Sequence, residues 1–268
     1  MRMVTLRIGT LLASALVSMA LSAGSLPTLG QPSGPAGSWG LLPAKHRVGV
    51  IRGSRTNNHG SHYLFGQSAI PLEQGDGYYK NTLLSVNAVN YGLTRHLSVG
   101  AGVELLSIIT GRESGPVYFL NAKLAANISE VFHVGLSGFY VSYPFPGNLE
   151  DPQFTEKRPG FAVLMGSVTV GDPDFQLTLS AGGSKDWDAN KQRPVVNIGG
   201  MARFFPRVAL ITENWLFFDS PDNYSLYCLG VRFIGETVAV DLALANNKQI
   251  REEVLPIGLP IISVSVAF

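Results

Sequence analysis

Polar and apolar residues alternate along the last strand of the chain. In 257–268 (I-G-L-P-I-I-S-V-S-V-A-F), Ile262, Val264, Val266 and Phe268 share one face, while Ser263, Ser265 and Ala267 share the other. The same period of two recurs upstream. Leu97, Val99, Ala101, Val103 and Leu105 alternate with His96, Ser98, Gly100, Gly102 and Glu104. Leu120, Ala122, Leu124 and Ala126 alternate with Asn121, Lys123 and Asn127. Phe175, Leu177, Leu179 and Ala181 alternate with Gln176, Thr178, Ser180 and Gly182, and Val238, Val240, Leu242 and Leu244 with Ala239, Asp241 and Ala243. Such alternation predicts strands whose two faces meet different surroundings: core and water, or lipid and lumen.

The connections favour the second pair. Tight turns are predicted near 93–95, 129–130, 172–174, 205–206 and 235–236, and longer polar loops at 107–115, 144–159, 186–192, 219–223 and 247–256. The two kinds alternate, so an antiparallel meander places the turns on one rim and the loops on the other, as in transmembrane barrels. Strands of about ten to fourteen residues suit a tilted bilayer crossing. The expected fold is all-β: a transmembrane, antiparallel, up-and-down β-barrel of about twelve strands. It runs from near His62 to Phe268, with 71–77 (P-L-E-Q-G-D-G) turning the first hairpin. Closure removes the unpaired sheet edges that hydrocarbon does not tolerate. Two segments fit less well. Residues 160–171 are apolar on both faces, and Thr212, Glu213 and Asn214 follow in succession, which a bulge near Glu213 would reconcile. Phe204, Phe205 and Phe233 by the turns, and Tyr140, Tyr143, Trp215, Phe217, Phe218 and Tyr224 toward the loops, read as two interfacial aromatic girdles.

Composition agrees with strands in lipid. Hydrophobic residues make up 46% of the chain and charged residues 15%, yet no apolar run past the N-terminus reaches the ~20 residues a helical span needs. Arg2 and Arg7 precede the apolar stretch 8–21 and the small residues Ser22, Ala23 and Gly24, which reads as a secretory signal peptide over 1–23. Its removal takes the formal net charge from +1 to −1, since it carries two Arg and no acid. Residues 24–61, opening with a Gly-, Pro- and Ser-rich stretch, read as a flexible periplasmic lead-in, and 62–268 as the barrel. Charge this balanced gives nucleic acid no footprint. Cys228, the single cysteine, reads as a small packing residue.

Several segments carry a likeness to a known family: 63–81 (Y-L-F-G-Q-S-A-I-P-L-E-Q-G-D-G-Y-Y-K-N), 89–104 (V-N-Y-G-L-T-R-H-L-S-V-G-A-G-V-E), 208–216 (V-A-L-I-T-E-N-W-L), 230–242 (G-V-R-F-I-G-E-T-V-A-V-D-L) and the closing I-G-L-P. In these the chain resembles an uncharacterised family of outer-membrane β-barrel proteins common in Bacteroidetes. The resemblance implies fold and location and transfers no activity.

Function is expected on the inward faces. Glu104, Lys123, Asn197, Arg203, Arg232 and Asp241 are the candidate lumen-lining residues, with Asn81, Ser85, Asn87, His96, Asn121 and His133 beside them. Two readings stand: a wet passage whose charges set ion preference, or a narrow lumen filled by cross-strand pairs. Arg232 and Asp241 are expected as diagonal neighbours across the 235–236 turn. No catalytic constellation is expected, because His96 and Ser98 stand roughly 7 Å apart along one strand, beyond nucleophile–base reach. No motif suggests a cofactor or a metal. The leading expectation is a monomeric, passive small-solute channel in the outer membrane of a Gram-negative cell, with the lipid bilayer as its partner. A closed structural or surface-interaction barrel is the alternative, and a barrel lipid hydrolase the third.

Overall fold

The computed structural model describes residues 57–109, 117–142, 160–187, 190–219 and 223–268. Its strands are β1 (Gly77–Thr82), β2 (Val86–Gly92), β3 (Leu97–Glu104), β4 (Tyr118–Ser129), β5 (Phe132–Ser142), β6 (Gly160–Gly171), β7 (Phe175–Asp186), β8 (Lys191–Phe205), β9 (Val208–Phe218), β10 (Asn223–Ile234), β11 (Val238–Asn246) and β12 (Leu259–Ala267). Each strand pairs with its sequence neighbours, and β1 pairs antiparallel with β12, closing a twelve-stranded barrel. The seam ends where Gly77 and Phe268 exchange both backbone hydrogen bonds, at 2.8 and 2.9 Å. Both ends of the barrel therefore lie on the short-turn rim.

Alternation does what the sequence implies. Leu120, Leu124, Leu164, Leu177, Leu229 and Ile262 stand exposed on the outer face. Their neighbours in the pleat, among them Lys123, Met165, Thr178 and Ser263, are buried within. Phe204, Phe205 and Phe233 point outward at the short-turn rim, as a girdle requires. The upper girdle is different: Phe218 faces outward, whereas Trp215 and Tyr224 are buried inside and Phe217 packs against the buried core. Tyr140 stacks edge-on against Trp187, with ring centroids 5.9 Å apart. Tyr143 lies outside the described residues.

The strand count agrees with expectation through two offsetting differences. Residues 62–76 form no barrel strand, and the stretch expected as one strand before the 93–96 turn is two, β1 and β2. They meet at a three-residue turn, 83–85, in which Leu83 and Leu84 both take positive φ, 55° and 60°. Leucine carries none of the Gly, Asn or Asp chemistry that announces such a turn. Strands β1 to β3, at 6, 7 and 8 residues, are also shorter than expected.

Two further expectations are corrected. No bulge occurs at Glu213, because the β9 register runs unbroken past it against both β8 and β10. Thr212 and Asn214 tolerate the outer face because each donates to a backbone carbonyl, of Cys228 and Ile198 respectively. The register shifts lie instead between Asn127 and Ser129 and between Arg203 and Phe205. Loop sorting is also weaker than expected, since the connections 187–190 and 219–222 are no longer than the turn 93–96.

Candidate functional site

The lumen is occupied by the chain's own N-terminal segment. Residues 57–70, N-N-H-G-S-H-Y-L-F-G-Q-S-A-I, contain no Asp, Glu, Lys or Arg. Of these, 57–61 were expected in the periplasmic lead-in and 62–70 as the first barrel strand; the remainder of the lead-in and the signal peptide lie outside the described residues. The segment enters at the short-turn rim, where Asn57 Nδ2 donates to Pro173 O (2.6 Å). It folds back through a turn closed by Tyr63 N–H to Gly66 O (2.9 Å), with Ser68 N–H returning to Ser61 O (3.2 Å). His59, Ser61, His62, Tyr63, Leu64, Ser68 and Ala69 are all buried.

The wall supplies charge and the segment supplies carbonyls. Arg232 Nη1 donates to His59 O (2.8 Å) and His62 O (3.1 Å). Lys80 Nζ donates to Tyr63 O (2.6 Å) and Leu64 O (2.8 Å). Lys123 Nζ is ringed by Ser61 O (3.2 Å), Ser68 O (3.2 Å) and Ile70 O (2.8 Å). Glu213 works in the opposite sense, accepting from the amides of Phe65 (2.8 Å) and Gly66 (2.7 Å) and from Trp215 Nε1 (2.6 Å). A Cβ at residue 66 would sit 2.8 Å from the Glu213 carboxylate, so the approach requires glycine. Uncharged contacts complete the clasp. Thr169 Oγ1 accepts from Ala69 N (2.8 Å), Gln176 Nε2 donates to Gly60 O (2.8 Å), and Tyr63 Oη lies 2.6 Å from Thr178 Oγ1. Buried backbone groups must be paired, and here strands all round the barrel pair them.

The expected lumen residues divide accordingly. Arg232 and Asp241 face each other directly in the β10–β11 register rather than diagonally, because the tight turn falls at 236–237, one residue later than expected. Arg232 Nε and Nη2 reach Asp241 Oδ1 (2.6 Å) and Oδ2 (3.0 Å), and Ser263 Oγ donates to the same carboxylate (2.9 Å). With Lys123, these two form the clasp. Arg203 instead braces the short-turn rim, bound to Asp174 Oδ1 (2.9 Å) and to Pro206 O. Glu104 lies at the loop end of β3, accepting from Leu106 N (2.6 Å), and Asn197 is buried within β8. Asn81 and Asn87 pair with each other on the outer face (2.9 Å). His96 is exposed at the rim, and both ring nitrogens of His133 have partners, Asn127 Oδ1 (2.7 Å) and Gly171 O (3.0 Å). Lys80 and Glu213 escaped sequence reading as site residues. The signal for Glu213 was a carboxylate between Thr212 and Asn214 in the middle of an apolar strand; the run Y-Y-K-N around Lys80 gave none.

On the loop side of the Tyr63–Gly66 turn lies a cavity of about 370 Å³, floored by His62, Leu64 and Phe65. Its wall is aromatic on the β5, β6 and β9 side, and carries Thr82, Asn90, Glu104 and Asn121 on the β1–β4 side. Phe139 meets Phe161 at 6.1 Å and Trp215 edge-on at 6.3 Å, while Phe217 stacks on Trp215 at 6.0 Å and meets Phe161 at 6.3 Å. Toward the loops, Arg193 Nε donates to Asp219 (2.7 Å) just past β9. Burial alone would raise the Asp219 carboxyl, but the hydrogen bond and charge of Arg193, with Lys191, hold it below its usual value.

Among known proteins, no family model matches the chain and no curated relative does. Solved barrels resemble it in outline. A KdgM porin in complex with disordered oligogalacturonate matches at 8% identity and a TM-score of 0.48, over 72% of this chain and 96% of the porin. The translocator domain of the autotransporter NalP from Neisseria meningitidis matches at 9% identity and a TM-score of 0.32, over 72% of this chain and 85% of that one. The siderophore receptor PirA from Pseudomonas aeruginosa matches at 12% identity and a TM-score of 0.32, over 68% of this chain and 42% of the receptor. Identities this low speak to barrel architecture at most.

Proposed function

We propose that this protein is an integral barrel of the bacterial outer membrane that holds a ligand in an occluded lumen rather than passing solutes through an open one. The apolar outer face, the closed and even strand count and the signal-like N-terminus support the location. One observation carries the closed reading: Arg232, Lys80 and Lys123 are buried and engage the carbonyls of residues 59–70 inside the lumen. Cations committed in this way do not line a water-filled passage. The passive channel needs a continuous lumen, and the segment fills the short-turn half of it. What remains is a cup facing the loop rim.

Single-channel recording of the refolded, heat-modifiable protein in a planar bilayer tests this. The intact chain is expected to be silent, and a variant lacking residues 57–70 to give ohmic steps. Steady steps from the intact chain would return the protein to the channel class.

A further inference from the structure

The cup has a chemistry of its own, and naming its ligand rests on the closed reading above. Its wall is built from Phe119, Phe139, Phe161, Trp215, Phe217 and Leu226, and its floor is the Tyr63–Gly66 turn. A sugar or small ion needs convergent hydrogen bonds; Thr82, Asn90, Glu104 and Asn121 line the β1–β4 side, but most of the lining surface is apolar. An apolar ligand needs removal from water, which the rings provide. At about 370 Å³ the cup lies at the small end of single-ligand sites. It suits one chain rather than the several chains of a membrane lipid.

Beyond the rings, toward the loops and outside the residues that line the cup, stands a charged group. Val195 pairs with Phe217, and Arg193 lies one pleat further toward the loops on the same inward face of β8. Asp186, directly opposite Phe161, forms a buried ion pair with Arg193 Nη1 at 3.9 Å, too long for a hydrogen bond. The Arg193 side chain is 1% exposed, Asp219 engages its Nε, and Nη1 and Nη2 are buried without a hydrogen-bond partner among the described residues. A buried guanidinium edge left open in this way matches the two oxygens of a carboxylate. We infer that the cup takes the alkyl chain of a free single-chain carboxylic acid, its tail against the five rings and its headgroup on Arg193.

Trp215 reports on the cup directly. With Trp39 and Trp187 replaced by Phe it is the only tryptophan of the three. The protein, in nanodiscs of saturated phosphatidylcholine, is titrated with dibromostearic acid, whose bromines quench only at contact, and in parallel with the corresponding brominated alcohol. The acid is expected to quench saturably at one equivalent. Phe161→Asn, or Leu226→Asn if the first does not fold, should weaken acid and alcohol alike by about tenfold or more, since a polar group then faces the chain. Arg193→Gln should weaken the acid alone by about tenfold. Quenching that rises linearly with added lipid-phase ligand, and is unchanged in the wall variant, means bilayer partition only and overturns the site. Equal weakening of acid and alcohol by Arg193→Gln overturns the headgroup assignment. Conductance of the same preparation separates the two proposals: a silent barrel without saturable quenching loses the ligand and keeps the closed reading, and a conducting one loses both.

Discussion

Arg232 and Asp241 sit directly opposite each other on β10 and β11, joined by hydrogen bonds of 2.6 and 3.0 Å, with both side chains at 1% exposure or less. The pair is bidentate, and the third face of the guanidinium reaches the lumen segment. Removing one partner of a buried pair leaves an uncompensated charge. Asp241→Ala should therefore cost about 3–5 kcal/mol, read as a lower urea midpoint for loss of the folded gel band. The double variant Arg232→Leu with Asp241→Leu should recover much of that stability. Unlike the silent intact chain it should conduct, because the carbonyls of His59 and His62 lose their donor.

The placement of the segment can be locked. A Cβ built on Gly135 of β5 lies 3.5 Å from Ala69 Cβ, within the range a disulfide spans. Ala69→Cys with Gly135→Cys, in a Cys228→Ser background, should oxidise to a band of altered mobility that reverts with reductant. Failure to form the bond in a folded barrel would remove the segment from the lumen.

Glu213→Ala should leave the amides of Phe65 and Gly66 and the indole of Trp215 without their acceptor. Each unpaired buried donor costs about 1–3 kcal/mol. Hydrogen exchange at Phe65 and Gly66 should accelerate well before exchange in the strands does.

Gly199→Ala would place a Cβ 2.5 Å from the ring of Tyr63. That ring is fully buried and its hydroxyl is held by Thr178 and Gln176, so it cannot step aside. Overpacking of this kind costs about 1–3 kcal/mol, and protease access to the segment should rise in the variant.

The Arg193–Asp219 contact fixes a pH dependence at the loop rim. The folded Asp219 carboxyl ionises below the ordinary aspartate value of 3.8. Its contribution is therefore complete above that value and lost as pH falls through the lower, folded one. The wild-type stability profile should show an acid limb that is shallower in Asp219→Asn, measured by urea titration between neutral and strongly acidic pH.

Much of this was legible in the chain. The faces of β3, β4, β7, β11 and β12 follow from alternation alone, because a period of two leaves a strand no other way to meet two surroundings. The tight turn at 172–174 followed from Asp and Pro. The turn at 83–85 did not, since it is made of two leucines with positive φ. The register of Arg232 and Asp241 hung on one residue of turn placement. The lumen segment was the least legible part, and for a physical reason. It is recognised through its peptide groups, which every residue carries, so no side-chain pattern marks it.

That the segment is bound by its main chain also bears on how the barrel holds together. Residues 57–70 precede β1, while their partners are scattered over β1, β4, β6, β7, β9 and β10. The seam between β1 and β12 joins the first and last of the twelve strands. The finished vessel is thus pegged from within as well as stitched along its seam.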